Sequence, residues 1–459
     1  MHTIKFTVFL LFVFLGSYLS VRADPGASTE DPLPPVLLER VAVTVDPAEQ
    51  PNDWSHAPML SGDGKFLVFL SDASNLVPGD TSEWMDVFVY DLNANQVELV
   101  SVGLGGAPAN EEPSRPSISY DGRYVAFNSL ASNLVISDTN GTQDVFLFDR
   151  ELDITERISV SSEEAEIAQD AFTKRPSISA DGRYVIFYSN AQALAPDHTQ
   201  ADTFNVYLRD RQEGTTTLLT LGYDGYPANG DSEYPTLSED GKWAAFHSDA
   251  SNLVEGDTNN LTDVFLYDIQ NQKTWRVSVA SDGSQATSYS DLAAISADGR
   301  FVAFYSYASN LVQGDTNNTA DVFLHDHQTG VTELISRTWY GGSANNESDV
   351  PSLSADGRYV AYYSYASNLV LGDTNGFTDV FRYDRLLHTT ERVSLGEWLQ
   401  QGAHDSLCST ISADGNLVAF YSFADNLVAG DSNGFPDVFV RDFSRPPPDF
   451  SFRLPLILK

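Results

Sequence analysis

The sequence predicts an all-β protein: a seven-bladed β-propeller of four-stranded antiparallel blades, its ring closed by an N-terminal strand that completes the last blade. Three observations lead there. A D-G pair in S-x-D-G-[RK]-[YFW]-type segments recurs with its Asp at Asp63, Asp121, Asp181, Asp240, Asp298, Asp356 and Asp414, spaced 58, 60, 59, 58, 58 and 58 residues apart. Each unit carries four short β-branched or aromatic runs and no sustained helical periodicity. The fourth-run motif stands before the first D-G pair and is missing after the last. Repeats of fixed period are units that stack, because none buries its apolar face alone.

In the sixth unit the runs are Pro351–Ser354, Arg358–Ser364, Asp379–Asp384 and Thr390–Leu395. The D-G pair between the first two supplies the positive-φ positions of a tight hairpin. Short turns such as Asp326–Val331 join the third run to the fourth. The second run is apolar on both sides, as in Val125-Ala126-Phe127 and Val302-Ala303-Phe304, which suits a sheet sandwiched between neighbours. Four antiparallel strands repeated in this way are the arithmetic of a propeller, with an open solenoid as competitor. The fourth-run motif begins as ERVAV at Glu39–Val43 and recurs from Val97, Glu156, Thr216, Thr274, Thr332 and Glu391. The last unit ends at Asp437–Asp442 and runs on to Pro446, Pro447 and Pro448. The set is complete only if Glu39–Val43 pairs beside Asp437–Asp442, a closure that a solenoid does not need.

The consensus PSISADGRYVAFYS followed by ASNLVxGDTNxxxDVFLYD resembles the TolB-like β-propeller repeats of bacterial envelope and secreted proteins, over residues 37–443. The resemblance implies the fold and little about activity, because its motifs are turns and strand pairs. There are seven units in place of that family's six, and no separate N-terminal α/β domain is expected. The translocation role of the family's namesake is therefore not carried over.

Composition narrows the partners. The 459 residues are 42% hydrophobic and 12% aromatic, and 64 acidic against 26 basic residues leave a net charge of −38. Such a surface repels phosphate backbones and anionic lipid, which excludes nucleic acid and leaves cations, glycans and proteins. One cysteine, Cys408, rules out an internal disulfide framework. Residues 1–23 read as a secretory signal peptide, with His2 and Lys5 before the apolar run Phe6–Leu15 and Val21-Arg22-Ala23 at the cleavage site. Residues 24–36 read as a flexible leader, 37–443 as the propeller and 444–459 as a Pro-rich tail. Nothing after residue 24 is long and apolar enough to span a bilayer. The expectation is an exported monomer, whether secreted, cell-surface or periplasmic.

Strand order places the second-to-third loops and the unit-connecting loops on one face, the expected functional surface. The former carry [GS]-D-[TS]-N-x-x-x-D: Asp138, Asn140 and Asp144; Asp257, Asn259 and Asp263; Asp315, Asn317 and Asp321; Asp373, Asn375 and Asp379; Asp431, Asn433 and Asp437. The first unit keeps Asp80 and Asp86 but has Ser82, and the third is stretched from Asp197 to Asn205. D-x-N opens many calcium loops, and calcium takes about 6–8 oxygens, so calcium is the one cofactor the pattern admits. A repeated Asx-turn explains the same residues. In or beside the connecting loops, Tyr226, Tyr289, Trp339, Tyr340 and Trp398 are candidate ligand anchors, with packing between blades as their other role.

No nucleophile elbow, zincin or phosphate-loop motif occurs, and His247 and His325 read as strand substitutions. The leading expectation is a secreted, non-catalytic propeller presenting a loop-rich acidic face to a protein or glycan. An exported hydrolase or lyase with carboxylates in the central channel is one alternative. A calcium-stabilised cell-surface module is the other.

Overall fold

The computed structural model describes residues 38–444 apart from 42, 43, 47, 83, 170, 196–202 and 397. The expected signal peptide, the leader and the tail beyond Ser444 lie outside the described residues. Seven four-stranded antiparallel sheets form the blades. The first consists of Ser55–Leu60, Phe66–Ser71, Asp86–Asp91 and Gln96–Leu99, hydrogen-bonded in chain order. The next five repeat that plan. In the seventh, Ser406–Ile411, Leu417–Ser422 and Asp437–Asp442 are completed by Leu38–Val41, with Leu38 opposite Arg441 and Val41 opposite Val438. The ring closes as the sequence predicts, with the closing strand starting one residue before the expected Glu39 and with Ala42 and Val43 outside the described residues. Helix is confined to the single turns Leu104–Gly106 and Gln192–Leu194 among the described residues.

Apolar side chains of the second and third strands pack from blade to blade. Val68 and Val87 of the first blade share one cluster with Val125, Phe127 and Phe146 of the second. The same packing crosses the junction of the chain ends, where Val41, Val438 and Ala419 meet Leu67 and Phe69. Each first strand touches the first strands of both neighbours, so the seven surround a central channel.

The D-G motif explains how the ring is locked. In the fifth blade, Asp298 Oδ1 accepts hydrogen bonds from the Ser296 hydroxyl and the Arg300 amide, and the Ser296 hydroxyl accepts one from the Phe301 amide. Gly299 has φ +75°, and a Cβ there would stand 2.2 Å from Trp243 of the preceding blade. Glycine is needed for the turn and for the close approach together. A belt of seven backbone hydrogen bonds joins these turns from blade to blade. The amides of Asp63, Tyr120, Ala180, Asp240, Ala297, Ala355 and Ala413 donate to the carbonyls of Tyr120, Ala180, Glu239, Ala297, Ala355, Ala413 and Gly62.

Two strand limits differ from expectation. The first strand of the sixth blade is Ser348–Leu353 and begins before Pro351, with a register shift between Asp349 and Ser352. Proline suggests a strand start, but the innermost strand is an edge, where a missing N–H breaks no ladder. The fourth strand is Thr389–Arg392, and Leu395 instead forms an isolated bridge with Gln401 across the connecting loop.

Candidate functional site

Every first strand carries the same bulge. Its third residue is left-handed in all seven blades: Ala57, Arg115, Arg175, Tyr234, Leu292, Val350 and Cys408, with φ between 46° and 52°. A left-handed φ is uncommon for side chains of this kind and costs about 1–2 kcal/mol per residue. Because Leu292 and Val350 share it with Arg175, the conformation belongs to the bulge of the fold and marks no single residue as functional. These residues and the ones after them, five of them prolines, line a channel cavity of about 340 Å³.

The channel's long-loop end is where the blades stop being alike. A cavity of about 300 Å³ there is lined by Arg115, Lys174, Arg175, Gln143, Tyr188 and Tyr234, among others. The Arg175 guanidinium lies 3.7 Å over the Tyr234 ring. Burial, and then the like charge of Arg115, hold Arg175 below the usual guanidinium range. Carboxylates gather on the following blades. Asp291 pairs with His247 and accepts from the Tyr305 hydroxyl at 3.3 Å, and Asp349 accepts from Tyr363 at 3.2 Å. Burial works against charge on His247, but its bonds to Asp291 and Glu233 outweigh that and raise its pKa. Exposed rings stand around this mouth: Trp54 lies edge-on to Phe423 at 5.7 Å, and Tyr289 packs on Tyr307 at 4.6 Å.

The five aromatics singled out from the sequence are all exposed, with Tyr226, Tyr340 and Trp398 at 71%, 64% and 65%. Of these, Tyr289 sits at the start of an inner strand, and the other four lie on the short bridged knuckles of the connecting loops. Sequence reasoning missed Arg115, Lys174 and Arg175. The signal was available: R-P-S-I occurs at Arg115 and again at Arg175, in a register where the other units hold Ala, Tyr, Leu, Val and Cys.

The aspartate loops are internally bonded. The second Asp heads the third strand and is buried, as with Asp144, Asp263, Asp321, Asp379 and Asp437. In the fourth blade its Oδ1 accepts from the Ser278 hydroxyl at 2.5 Å and its Oδ2 from the Asn259 amide at 2.8 Å. Asn140, Asn317, Asn375 and Asn433 bond Asp144, Asp321, Asp379 and Asp437 in the same way. In four blades an arginine of the fourth strand also stands between the two carboxylates. Arg276 reaches Asp257 at 2.8 Å and Asp263 at 3.3 Å, and Arg157, Arg392 and Arg40 do likewise for Asp138 and Asp144, Asp373 and Asp379, and Asp431 and Asp437. The fifth blade has Leu334 at that position. There Asp315 Oδ1 is buried without a partner, and burial, with the Asp315 charge adding, pushes Asp321 up to about 7. In the third blade Asn205 replaces the second Asp and accepts from Thr220, while Asp197 lies outside the described residues. Among the described residues no three His, Cys, Asp or Glu side chains are grouped to hold a metal ion.

No family model matches the chain, and no curated protein does. Solved structures do. Oligogalacturonate lyase from Vibrio parahaemolyticus is similar at TM-score 0.52 and 12% identity, over 88% of this chain and 93% of that one. The β-propeller domain of the trilobed protease from Pyrococcus furiosus is similar at TM-score 0.51 and 11% identity, over 87% of this chain and 98% of that one. TolB from Acinetobacter baumannii is also among the matches, at TM-score 0.39 and 15% identity, over 84% of this chain and 78% of that one. At these identities the likeness to the first two establishes a shared propeller fold and nothing about chemistry.

Proposed function

We propose that the chain is an exported binding protein that receives a protein or glycan ligand on its long-loop face, at the channel mouth. The observation that carries this reading is the break in sevenfold symmetry at that mouth: unpaired cations beside exposed rings, on a backbone that is otherwise the same in every blade. Rigid scaffolds that vary only at loop ends are built to bind. The test is a glycan array and pull-down with the full chain, repeated with Trp54→Ala and Tyr365→Ala together, Tyr365 being an exposed ring just past the strand Tyr359–Ser364 and edge-on to Tyr363. A saturable ligand weakened by that double variant supports the reading. A ligand indifferent to it, yet lost when Tyr120 on the short-turn face is changed to Asp, overturns it.

A cation in the fifth-blade loop is a second reading, favoured by the orphaned Asp315 Oδ1 and by the leucine in place of arginine. It predicts a higher melting temperature in millimolar calcium than in chelator, and loss of that difference in Asp315→Asn. Identical melting of the native chain in both solutions removes it.

A further inference from the structure

Most arginines of this chain are engaged. Arg123, Arg183, Arg300 and Arg358 each hold an aspartate at 2.6–2.7 Å, and Arg40, Arg157, Arg276 and Arg392 bridge the loop carboxylates. Arg115 and Arg175 differ. They occupy one register in adjacent blades, Lys174 precedes Arg175, and none of the three has a carboxylate partner among the described residues. The nearby acids are already engaged, Asp291 by His247 and the Leu292 amide and Asp349 by Tyr363 and the Val350 amide. Three cations thus converge on one cavity in a chain of net charge −38. The Tyr234 ring holds the Arg175 guanidinium in place without neutralising it. An anion seated there relieves their mutual repulsion, and a planar carboxylate matches the guanidinium fork.

The rest of the lining says what carries the charge. Ser114, Gln143 and the phenols of Tyr188 and Tyr234 are neutral donors and acceptors, suited to hydroxyl groups. A volume of about 300 Å³ accommodates a sugar ring and is continuous with the channel through Arg115, Arg175 and Tyr234.

We propose that this cavity binds an acidic sugar, with its carboxylate between Arg115 and Arg175 and its hydroxyls on the neutral groups around them. The proposal rests on the long-loop mouth being the binding face and names the ligand class it takes. The experiment is calorimetric titration of the full chain with a glucuronate oligosaccharide, its carboxyl-reduced neutral counterpart, acetate and inorganic phosphate. Binding is expected for the uronate alone, weakening as salt rises. Arg115→Gln and Arg175→Gln should each weaken it roughly tenfold to a hundredfold, the range for a lost hydrogen bond to a charged group. Arg115→Gln, at an exposed position, should leave the melting temperature unchanged, so that its effect reads as binding. Equal affinity for the neutral counterpart, phosphate binding as tight as the uronate, or full affinity in both variants each overturns the proposal. If the uronate fails while another ligand is captured and lost on Trp54→Ala with Tyr365→Ala, the acidic-sugar site falls and the binding face stands.

Discussion

The two ends of the channel are built from the same seven strands and follow different rules. At the short-turn end, turn amides and carbonyls form a closed belt, and a glycine presses on the neighbouring blade. At the long-loop end the backbone is as regular, each bulge residue having φ between 46° and 52°, but the side chains run from Ala57 through Arg175 to Cys408. Where backbone and side chain both repeat, the residue closes the ring. Where the backbone repeats and the side chain does not, the residue is available for chemistry.

The contrast can be broken at the junction of the chain ends, where the largest effect is expected. Deleting residues 38–45 leaves Asp437–Asp442 as an unpaired edge and strips Arg40 from Asp431 and Asp437. Cooperative melting should be lost and light scattering should show aggregation. A truncated chain that melts like the full one would mean the ring does not need this strand.

A pair of glycine substitutions sharpens it. Gly299→Ala meets Trp243 and should cost about 3 kcal/mol in denaturant unfolding, overpacking plus a left-handed alanine. Gly256→Ala, in a long loop with φ +79° and nothing within 4 Å, should cost only about 1 kcal/mol. Equal losses would sink the interlock as the reason for the motif.

The buried aspartates give a pH signature. Asp321 stands at about 7, and Asp86 and Asp437 at about 6, each raised chiefly by burial. In the window from about 4 to 7 these aspartates bind more protons in the folded chain than in the unfolded one, so their contribution to stability falls as pH rises through it, while His325, lowered to about 4 chiefly by burial, acts in the opposite sense over part of the window. Asp326 is the opposite case, held at about 2 by Arg300, so its contribution is present above the ordinary carboxylate value and is lost only in strong acid. The melting temperature should drop between pH 5 and pH 8, and Asp321→Asn should flatten the drop more than any other single aspartate change. A profile that rises over that interval contradicts the assignment.

The smallest effect belongs to the knuckles. Trp339 and Tyr340 are 59% and 64% exposed, and replacing both with Ala should change stability by no more than about 0.5 kcal/mol. A collapse in melting temperature would make them packing residues after all.

Much of this was readable beforehand, and the failures are specific. Ring closure followed from counting ERVAV at Glu39 against the missing motif after Asp442. The bulge did not, since proline at Pro351 is as compatible with a strand start as with an edge strand. The arginine of that motif follows the first loop Asp by 19 residues in Asp138 to Arg157 and in Asp257 to Arg276. That spacing is visible in the sequence, yet only strand pairing shows the guanidinium lying between the carboxylates.

By itself the sequence determined blade number, strand order and closure. Each of these depends on local alternation and a period near 58 residues, which a chain displays whether or not it is folded. The tertiary structure alone decided the site. Arg115 and Arg175 are 60 residues apart in the chain, and their shared R-P-S-I run marks them as alike without placing them together. They meet because strands arranged about an axis bring equivalent positions of successive repeats to one place, and like charges become a site only at that distance.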